Sequence, residues 1–207
     1  VIVASRNSEG QMDIMSMDSV EGCLNRIIEE HGRIDILVNN AALSTPGTLD
    51  TMTEEDWLKG IDGTLNGVFR TTKTVLPIME RQGSGSIINI SSMYGMVAPD
   101  PGIYGDSGQD NPPNYGAGKA GIIQFTRYCA VRYASKGIRI NCVSPGPFPN
   151  PEVQKDSDFI KRLEKKVPMG RIGRPEELAP LIVFLASDKS SYINGANIPV
   201  DGGWTAW

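Results

Sequence analysis

The sequence predicts an α/β protein with a Rossmann-like, doubly wound parallel sheet and helices on both faces. Strand-like apolar runs alternate along the chain with stretches of helical period, the pattern of parallel βαβ units. Polar or glycine-containing turns directly follow three of these runs, at Asn39-Asn40, Ser91-Ser92 and Pro145-Gly146. Because ligands of open parallel sheets bind beyond the carboxyl ends of the strands, we expect these turns to line a binding crevice.

The predicted elements alternate along the chain. We expect strands at about 1–5, 11–14, 34–39, 86–91, 138–143 and 196–200, and helices at about 17–31, 54–81, 115–135, 152–166 and 175–187. Thr53 followed by Asp56 is an N-cap pattern, and Pro175 with two glutamates suits the start of the last helix. His31 before Gly32 suits a helix C-terminus, where a histidine meets the negative end of the helix dipole.

Composition favours one domain, residues 1–207, with small-molecule partners. The chain has 207 residues, 40% hydrophobic and 21% charged, enough for one substantial core. Its net charge of −4 and the absence of a Lys/Arg-rich run argue against binding to nucleic acid or to an anionic membrane surface. No stretch approaches the roughly 18 apolar residues of a membrane span, and the start at Val1 does not resemble a signal peptide.

The cysteines and the single histidine limit the kinds of catalytic and metal site that the chain can form. The three cysteines are an odd number without metal-ligand spacing, which predicts a reduced, cytoplasmic protein. His31 is the single histidine, so a histidine-based triad or a multi-histidine metal site is nearly excluded. We expect no metal.

Tyr115 and Lys119 form the most informative pair. They lie four residues apart at the start of a helical stretch, so both project from one face. A free phenol has a pKa of ~10, and a nearby cation lowers that value. Tyr115 could then exchange a proton with a substrate oxygen. Such a pair alone is usually a solvated helix face, and its neighbourhood decides between the two interpretations.

Four further segments occur in the order and spacing of one family: 33–42 (RIDILVNNAA), 85–92 (GSIINISS), 138–146 (IRINCVSPG) and 200–203 (VDGG). Together they resemble the classical short-chain dehydrogenase/reductase family, within it most the gluconate 5-dehydrogenase-like members. The resemblance covers nearly the whole chain.

The resemblance implies the roles of the site residues. Tyr115 would be the acid/base, Lys119 would lower its pKa and hold the nicotinamide ribose, and Ser92 would hydrogen-bond the substrate oxygen. Hydride transfer requires a cofactor, since no side chain supplies a hydride. The implied cofactor contacts are Ser5, Arg6, Asp13, Ile14, Asn40, Ala41, Ala42, Tyr115, Lys119, Pro145, Gly146 and Phe148.

Two of these cofactor contacts are open to another interpretation. Asp13 could equally be an ordinary turn acid. Arg6, at the end of the first predicted strand, suits the 2′-phosphate of NADP and would otherwise be a solvated loop arginine. We therefore expect NADP, with NAD as the other possibility.

The segment between Ser92 and Tyr115 is longer than is usual in the family and rich in Gly, Pro, Asp and Asn. Long loops without secondary structure tend to be functional or disordered. The candidate substrate contacts in it are Tyr94, Tyr104, Asp106 and Gln109. The other interpretation is a passive surface loop.

The chain departs from the family pattern in three places. Thr64 stands where the family has a catalytic Asn, which puts the proton relay in doubt, and Asn66 lies at a different helical angle. The family's Asn-Asn-Ala-Gly ends in Ala42 here. No glycine-rich loop precedes Val1, and the five residues Arg6–Gly10 span at most ~18 Å, too short for a crossover helix. We expect either a longer polypeptide with these segments or a damaged paralogue.

These observations predict an NADP-preferring enzyme that interconverts a secondary alcohol and a ketone, on a sugar acid or polyol. We expect it to form a homotetramer or homodimer, as is usual in the family. Two alternatives stay open: a 3-oxoacyl-carrier reductase, and a non-catalytic binding or scaffold subunit.

Overall fold

A computed structural model describes residues 1–8, 11–105 and 110–206. Its sheet has four strands, β1 (Ile36–Asn39), β2 (Gly85–Ile90), β3 (Ile138–Pro145) and β4 (Asn197–Val200). They lie in the order β1-β2-β3-β4, and every neighbouring pair is parallel. Four of the six predicted strands are therefore confirmed, and the predicted parallel sheet with them.

The register brings the strand ends to one edge of the sheet. Asn39 of β1 is paired with Asn89 of β2, which is paired in turn with Cys142 of β3. The residues that follow these three positions therefore emerge at the same edge. This is the edge where the sequence predicts the binding crevice.

Seven α-helices surround the sheet within the described residues: α1 (Met17–His31), α2 (Glu54–Ile61), α3 (Gly67–Gln82), α4 (Pro101–Tyr104), α5 (Pro113–Tyr133), α6 (Ser157–Lys166) and α7 (Ala179–Ala186). The predicted caps are present. Thr53 Oγ1 accepts the Asp56 N–H at 3.1 Å at the start of α2. Helix α1 ends at His31, and Gly32 takes the left-handed conformation (φ 75°) that favours glycine.

The predicted helix 54–81 is interrupted. Residues Asp62–Asn66 form a turn of π-helix between α2 and α3. Short 3₁₀ turns, Val153–Lys155 and Pro175–Glu177, take the place of the first residues of the predicted helices 152–166 and 175–187. The segment after Ser92 is also more ordered than predicted, since it contains a 3₁₀ turn, Met93–Gly95, and α4.

Helices cover both faces of the sheet. Ile87 of β2 packs in a cluster with residues of α1, α3 and α5, whereas the next residue, Ile88, packs with Leu185 of α7. Successive strand residues point to opposite faces, so α1, α3 and α5 lie on one side and α7 on the other. This confirms the doubly wound arrangement.

The two strands predicted at 1–5 and 11–14 are absent. These segments are irregular and joined by a turn in which Met12 N donates to Ser5 O (3.0 Å). Their apolar residues suggested strands, but a strand forms only where a neighbour pairs with it. Strand β1 is accordingly an edge strand, with a neighbour on one side only among the described residues. Its residues Ile36 and Val38, on the α7 side of the sheet, are 48% and 41% exposed.

No helix in the described part of the chain is long and apolar enough to cross a membrane. The same residues contain no group of three or more His, Cys, Asp or Glu side chains that could hold a metal ion. Cys23, Cys129 and Cys142 are all buried free thiols.

Candidate active site

Ser92 lies directly beyond β2, at the start of a 3₁₀ turn that packs against α5. Its Oγ accepts the Tyr94 N–H (3.2 Å) and so caps the 3₁₀ turn Met93–Gly95. A Cβ at Gly95 would lie 2.8 Å from the Lys119 carbonyl carbon, so only glycine allows this approach to α5. The neighbouring Ser91 donates from Oγ to Lys119 O at 2.7 Å. Ser91 and Ser92 are therefore both held beside α5, the helix that carries Tyr115.

Tyr115 and Lys119 share one face of α5, as the sequence predicts. The Lys119 ammonium lies 5.6 Å from the centre of the Tyr115 ring and donates to Ile90 O at 2.8 Å. Lys119 is only 4% exposed. Burial lowers the pKa of its ammonium to about 8.

Burial raises the pKa of the Tyr115 phenol above its ordinary value, while an interaction with the Ser92 hydroxyl opposes this effect. The sequence led us to expect the opposite direction, on the ground that Lys119 would stabilise the phenolate. Only the predicted direction of the shift is wrong for this structure, because loss of solvent around the phenol outweighs the influences that favour the phenolate. The Tyr115 phenol therefore keeps its proton at neutral pH.

Thr64 lies in the π-helical turn and binds the segment that follows β1. Its Oγ1 donates to Leu43 O (3.0 Å), and Leu43 N donates to Gly63 O (3.1 Å). These two bonds fasten Leu43 by both its backbone groups. π-helical turns often occur at functional sites. Asn66 donates instead to Asp62 Oδ1 (2.9 Å), so it does not take over the position of Thr64.

The residues predicted to lie along the nicotinamide half of a cofactor meet at the strand ends. Asn40, Ala41 and Ala42 follow β1 and are exposed. Pro145 ends β3, and a Cβ at Gly146 would lie 2.5 Å from the Asp201 Cα, so the backbone approach here requires glycine.

Phe148 lies further along the same loop and packs against Gly173. It is partly buried and lines a cavity of about 100 Å³ together with Pro147 and Asp201.

The residues predicted for the adenosine half lie together in the N-terminal turn. The Met12–Ser5 bond places Ser5 and the exposed Arg6 next to Asp13 and Ile14. The Asp13 carboxylate accepts the Met15 N–H (2.9 Å), which is the turn role left open by the sequence. Ile14 contacts α3, since a Cβ at Gly67 would lie 2.8 Å from its Cδ1.

The residues present fit a dinucleotide at the strand ends. Small side chains border the crevice, and the Lys119 ammonium has three donors, of which one is bonded within the described residues. Asn40–Ala42, Pro145, Gly146, Tyr115 and Lys119 would hold the nicotinamide half. Ser5, Arg6 and Ile14 would hold the adenosine half.

The substrate side is built from apolar and aromatic residues. Tyr94 and Tyr104 are buried in a cluster against which Tyr115 packs. The other buried members are Met93, Ile103, Phe159, Leu163, Val167 and Trp204. Two further predicted substrate contacts, Asp106 and Gln109, lie outside the described residues.

Sequence reasoning did not identify Asn114, which positions the helix turn that carries Tyr115. Its side chain is fully buried, and Nδ2 donates to Thr45 Oγ1 (2.6 Å) and to Asp56 O (3.1 Å). These bonds connect the start of α5 to Thr45, which lies between β1 and α2, and to Asp56 of α2. A polar residue at the first turn of a helix, next to a candidate catalytic residue, was the available signal.

Comparison with known proteins identifies the family. A family profile described as enoyl-(acyl carrier protein) reductase matches residues 4–205. The 3-oxoacyl-[acyl-carrier-protein] reductase FabG of Thermotoga maritima is 40% identical over 193 residues, which are 93% of this chain and 74% of that protein. The chain belongs to the classical short-chain dehydrogenase/reductase family. It is accordingly an NAD(P)-dependent oxidoreductase, and the resemblance stated from its motifs is confirmed.

Other short-chain dehydrogenases are similarly close. The cis-4-hydroxycyclohexanecarboxylate dehydrogenase of Sinomonas cyclohexanicum is 40% identical over 196 residues, 94% of this chain and 75% of that protein. The crystal structure of a gluconate 5-dehydrogenase from Burkholderia cenocepacia, in complex with NADP and tartrate, matches with a TM-score of 0.85 and 31% identity. That match covers 95% of this chain and 74% of the other.

Proposed function

We propose that this short-chain dehydrogenase reduces a ketone to a secondary alcohol, with Tyr115 as the proton donor. The observation that carries the proposal is the convergence of Ser92, Tyr115 and Lys119 beyond the end of β2. The buried Tyr115 phenol keeps its proton at neutral pH, which suits reduction better than alcohol oxidation. The non-catalytic alternative leaves this arrangement without a purpose.

The mechanism follows from the side chains. NADPH supplies the hydride when it is bound. The Ser92 and Tyr115 hydroxyls bind the ketone oxygen and stabilise the negative charge that develops on it. Tyr115 Oη then gives its proton to that oxygen. Lys119 favours this transfer because its buried ammonium stabilises the resulting phenolate.

Arg6 supports NADP over NAD as the preferred cofactor. Its guanidinium is exposed in the N-terminal turn beside Ser5, free of any acidic residue within hydrogen-bonding range among the described residues. A guanidinium binds the 2′-phosphate of NADP well. An acidic residue would be expected there in an NAD enzyme.

The described substrate side favours a 3-oxoacyl or similar ketone over a sugar acid or polyol. The sequence suggested a hydroxylated substrate because the segment 93–114 is polar. Ile103 and Tyr104 of that segment pack instead against Phe159 and Leu163 of α6. An apolar wall stabilises a substrate with an apolar skeleton. The Thermotoga maritima relative is named as a 3-oxoacyl-[acyl-carrier-protein] reductase, and a 3-oxoacyl group is a ketone of this class.

We also infer that the protein forms a homodimer or homotetramer. Several apolar side chains on α2, α3 and α5 are exposed, among them Leu58 (58%), Phe69 (42%), Tyr128 (61%) and Val131 (85%). Large exposed apolar side chains on three helices are the kind of surface that association with another copy of the chain would cover. The buried, unpaired thiols agree with the predicted cytoplasmic location.

Replacement of Tyr115 by Phe tests the activity. The variant loses only the exchangeable proton, so ketone reduction should fall by about three orders of magnitude or more while NADPH binding, followed by nicotinamide fluorescence, persists. Tyr192→Phe, a change at a fully exposed tyrosine, is the matched control. Equal turnover of Tyr115→Phe and the parent protein would contradict the proposal.

A further inference from the structure

The substrate side of the site holds two buried phenols whose hydroxyls face each other. Tyr104 Oη donates to Tyr94 Oη at 3.1 Å, and both residues are 9% exposed. Two hydroxyls carry two protons, and one hydrogen bond uses one of them. No described residue accepts the second proton. A buried donor left without an acceptor costs about 1–3 kcal/mol, so this position favours a ligand oxygen.

The pair lies next to the reacting group. Tyr115 packs against the cluster that contains both phenols. Burial is the largest cause of the raised pKa of each phenol, and charge on Tyr115 raises both further. Ser92 Oγ also accepts the Tyr94 N–H. The two phenols therefore adjoin the part of the site that holds Ser92 and Tyr115.

Aromatic contacts hold the two rings in place. Tyr94 stands edge-on to Trp204 with ring centres 6.5 Å apart, and Tyr104 lies against Phe159 at 5.7 Å. Arg162 Nε, on α6, donates to Ile103 O at 2.7 Å next to Tyr104. The hydroxyl pair is thus a pre-formed contact, which loses little conformational entropy on binding.

The surroundings favour an uncharged ligand oxygen. The two cations of α6 nearest to the pair are already engaged: Arg162 with the carbonyls of Ile103 and Tyr104, and Lys166 with Asp100 at 2.7 Å. A carboxylate in this apolar cluster would lack a counter-charge among the described residues and would be costly to bury. A neutral carbonyl or hydroxyl needs only the phenol proton.

We propose that Tyr94 and Tyr104 bind a second, uncharged oxygen of the substrate, a few atoms from the carbon that is reduced. The substrate class is then ketones with an ester-like carbonyl or a hydroxyl on an otherwise apolar skeleton. This inference rests on the proposed ketone reduction and adds the substrate class to it. The two phenols together determine this specificity, because the hydrogen bond between them leaves one of their two protons unpaired.

Two pairs of ketones that differ in one oxygen test the inference. Ethyl 3-oxobutanoate and 4-ethoxybutan-2-one form the first pair, and ethyl 4-oxopentanoate and 5-ethoxypentan-2-one the second. In each pair the ether lacks only the ester carbonyl. We expect kcat/KM with NADPH to favour the ester about 10- to 100-fold in at least one pair. In the double variant with Tyr94→Phe and Tyr104→Phe that preference should fall to about twofold or less, mainly through the KM of the ester.

Each outcome decides between two hypotheses. Tyr192→Phe, the matched control, should keep the preference of the parent protein. Reduction of ester and ether with equal efficiency in both pairs would overturn the inference and leave the proposed function intact. An equal loss of activity on both members of a pair in the double variant would also overturn it, since the two hydroxyls would then have only a structural role. Failure to reduce any of the four ketones would contradict the proposed function itself.

Discussion

The Lys119 ammonium lies 5.6 Å from the centre of the Tyr115 ring and is hydrogen-bonded to the Ile90 carbonyl at 2.8 Å. This places a buried cation beside a buried phenol, and both are displaced from their ordinary pKa values in the direction of the uncharged form. The cation is therefore held in the site at a cost to stability. That cost can be measured.

Lys119→Met should separate stability from activity. The pKa of Lys119 is about 8 in the folded protein and 10.5 in an unfolded chain. Below pH 8 the ammonium is charged in both states, so the folded protein carries the full penalty. Between these two pKa values the unfolded chain binds more protons, and the penalty disappears as pH rises. Relative to the parent protein, Lys119→Met should thus gain up to about 3 kcal/mol of unfolding free energy at pH 7.

That gain should fall as pH rises from 8 to 10, and activity should be lost at every pH. Urea unfolding of parent and variant at several pH values measures this gain in unfolding free energy. The difference between the two proteins is the quantity to follow, because the buried thiols Cys129 and Cys142, with pKa values raised to about 11 by burial, also titrate at high pH. Lys136→Met, at an exposed position, is the control. A difference that does not change with pH would show that Lys119 is not a desolvated cation.

Arg6→Asp should change the cofactor preference. Loss of the guanidinium removes the partner of the 2′-phosphate, and the new carboxylate repels it and can accept from a ribose hydroxyl. We expect the ratio of kcat/KM with NADPH to that with NADH to fall at least about tenfold. Arg81→Asp, also at an exposed arginine, should leave the ratio unchanged. A parent protein that already prefers NADH would refute the role of Arg6.

Thr64→Val should weaken the attachment of the cofactor-lining segment. The change keeps the side-chain shape but removes the hydroxyl that donates to Leu43 O. We expect a loss of about 1 kcal/mol in unfolding free energy and a higher KM for the cofactor. Thr64→Ser keeps the hydroxyl, so it should have the unfolding free energy and the cofactor KM of the parent protein. Thr64→Asn, which restores the family's residue, should remain active. A dead Thr64→Asn variant would mean that the hydroxyl has a role of its own in the reaction.

The strands that the sequence predicted correctly are those that pair with another strand of this chain. The run Ile87-Ile88 is buried on both faces, so its apolar character and its strand structure have the same cause. Val1, Ile2 and Val3 have the same β-forming character but no strand beside them, and they are exposed and irregular. Local propensity cannot distinguish the two cases, since pairing depends on distant residues.

The position of the proposed catalytic residues could be predicted from the sequence, but the direction of their pKa shifts could not. Ser92, Tyr115 and Lys119 follow from spacing and from their motif neighbours, and the structure brings them together. The direction of the Tyr115 pKa shift was missed because it depends on how deeply the phenol is buried. Tyr94 and Tyr104 were predicted as substrate contacts, but their mutual hydrogen bond could not be read from two residues ten positions apart.

The π-helical turn Asp62–Asn66 has a consequence for the angular position of everything that follows it. A π turn holds one residue more than the α-helical turn it replaces, so side chains after Asn66 are rotated by about 100° relative to an unbroken α-helix. With that rotation Val75 and Met79 point into the core, where neither is accessible to solvent. Removal of a single residue between 62 and 66 would restore a continuous α-helix without rotating either side chain, whereas an α-helical turn that kept all five residues would rotate both by about 100° away from their present direction. The extra residue thus sets the angular position of α3. Because of it, Thr64 faces the site while the apolar side of α3 faces the sheet.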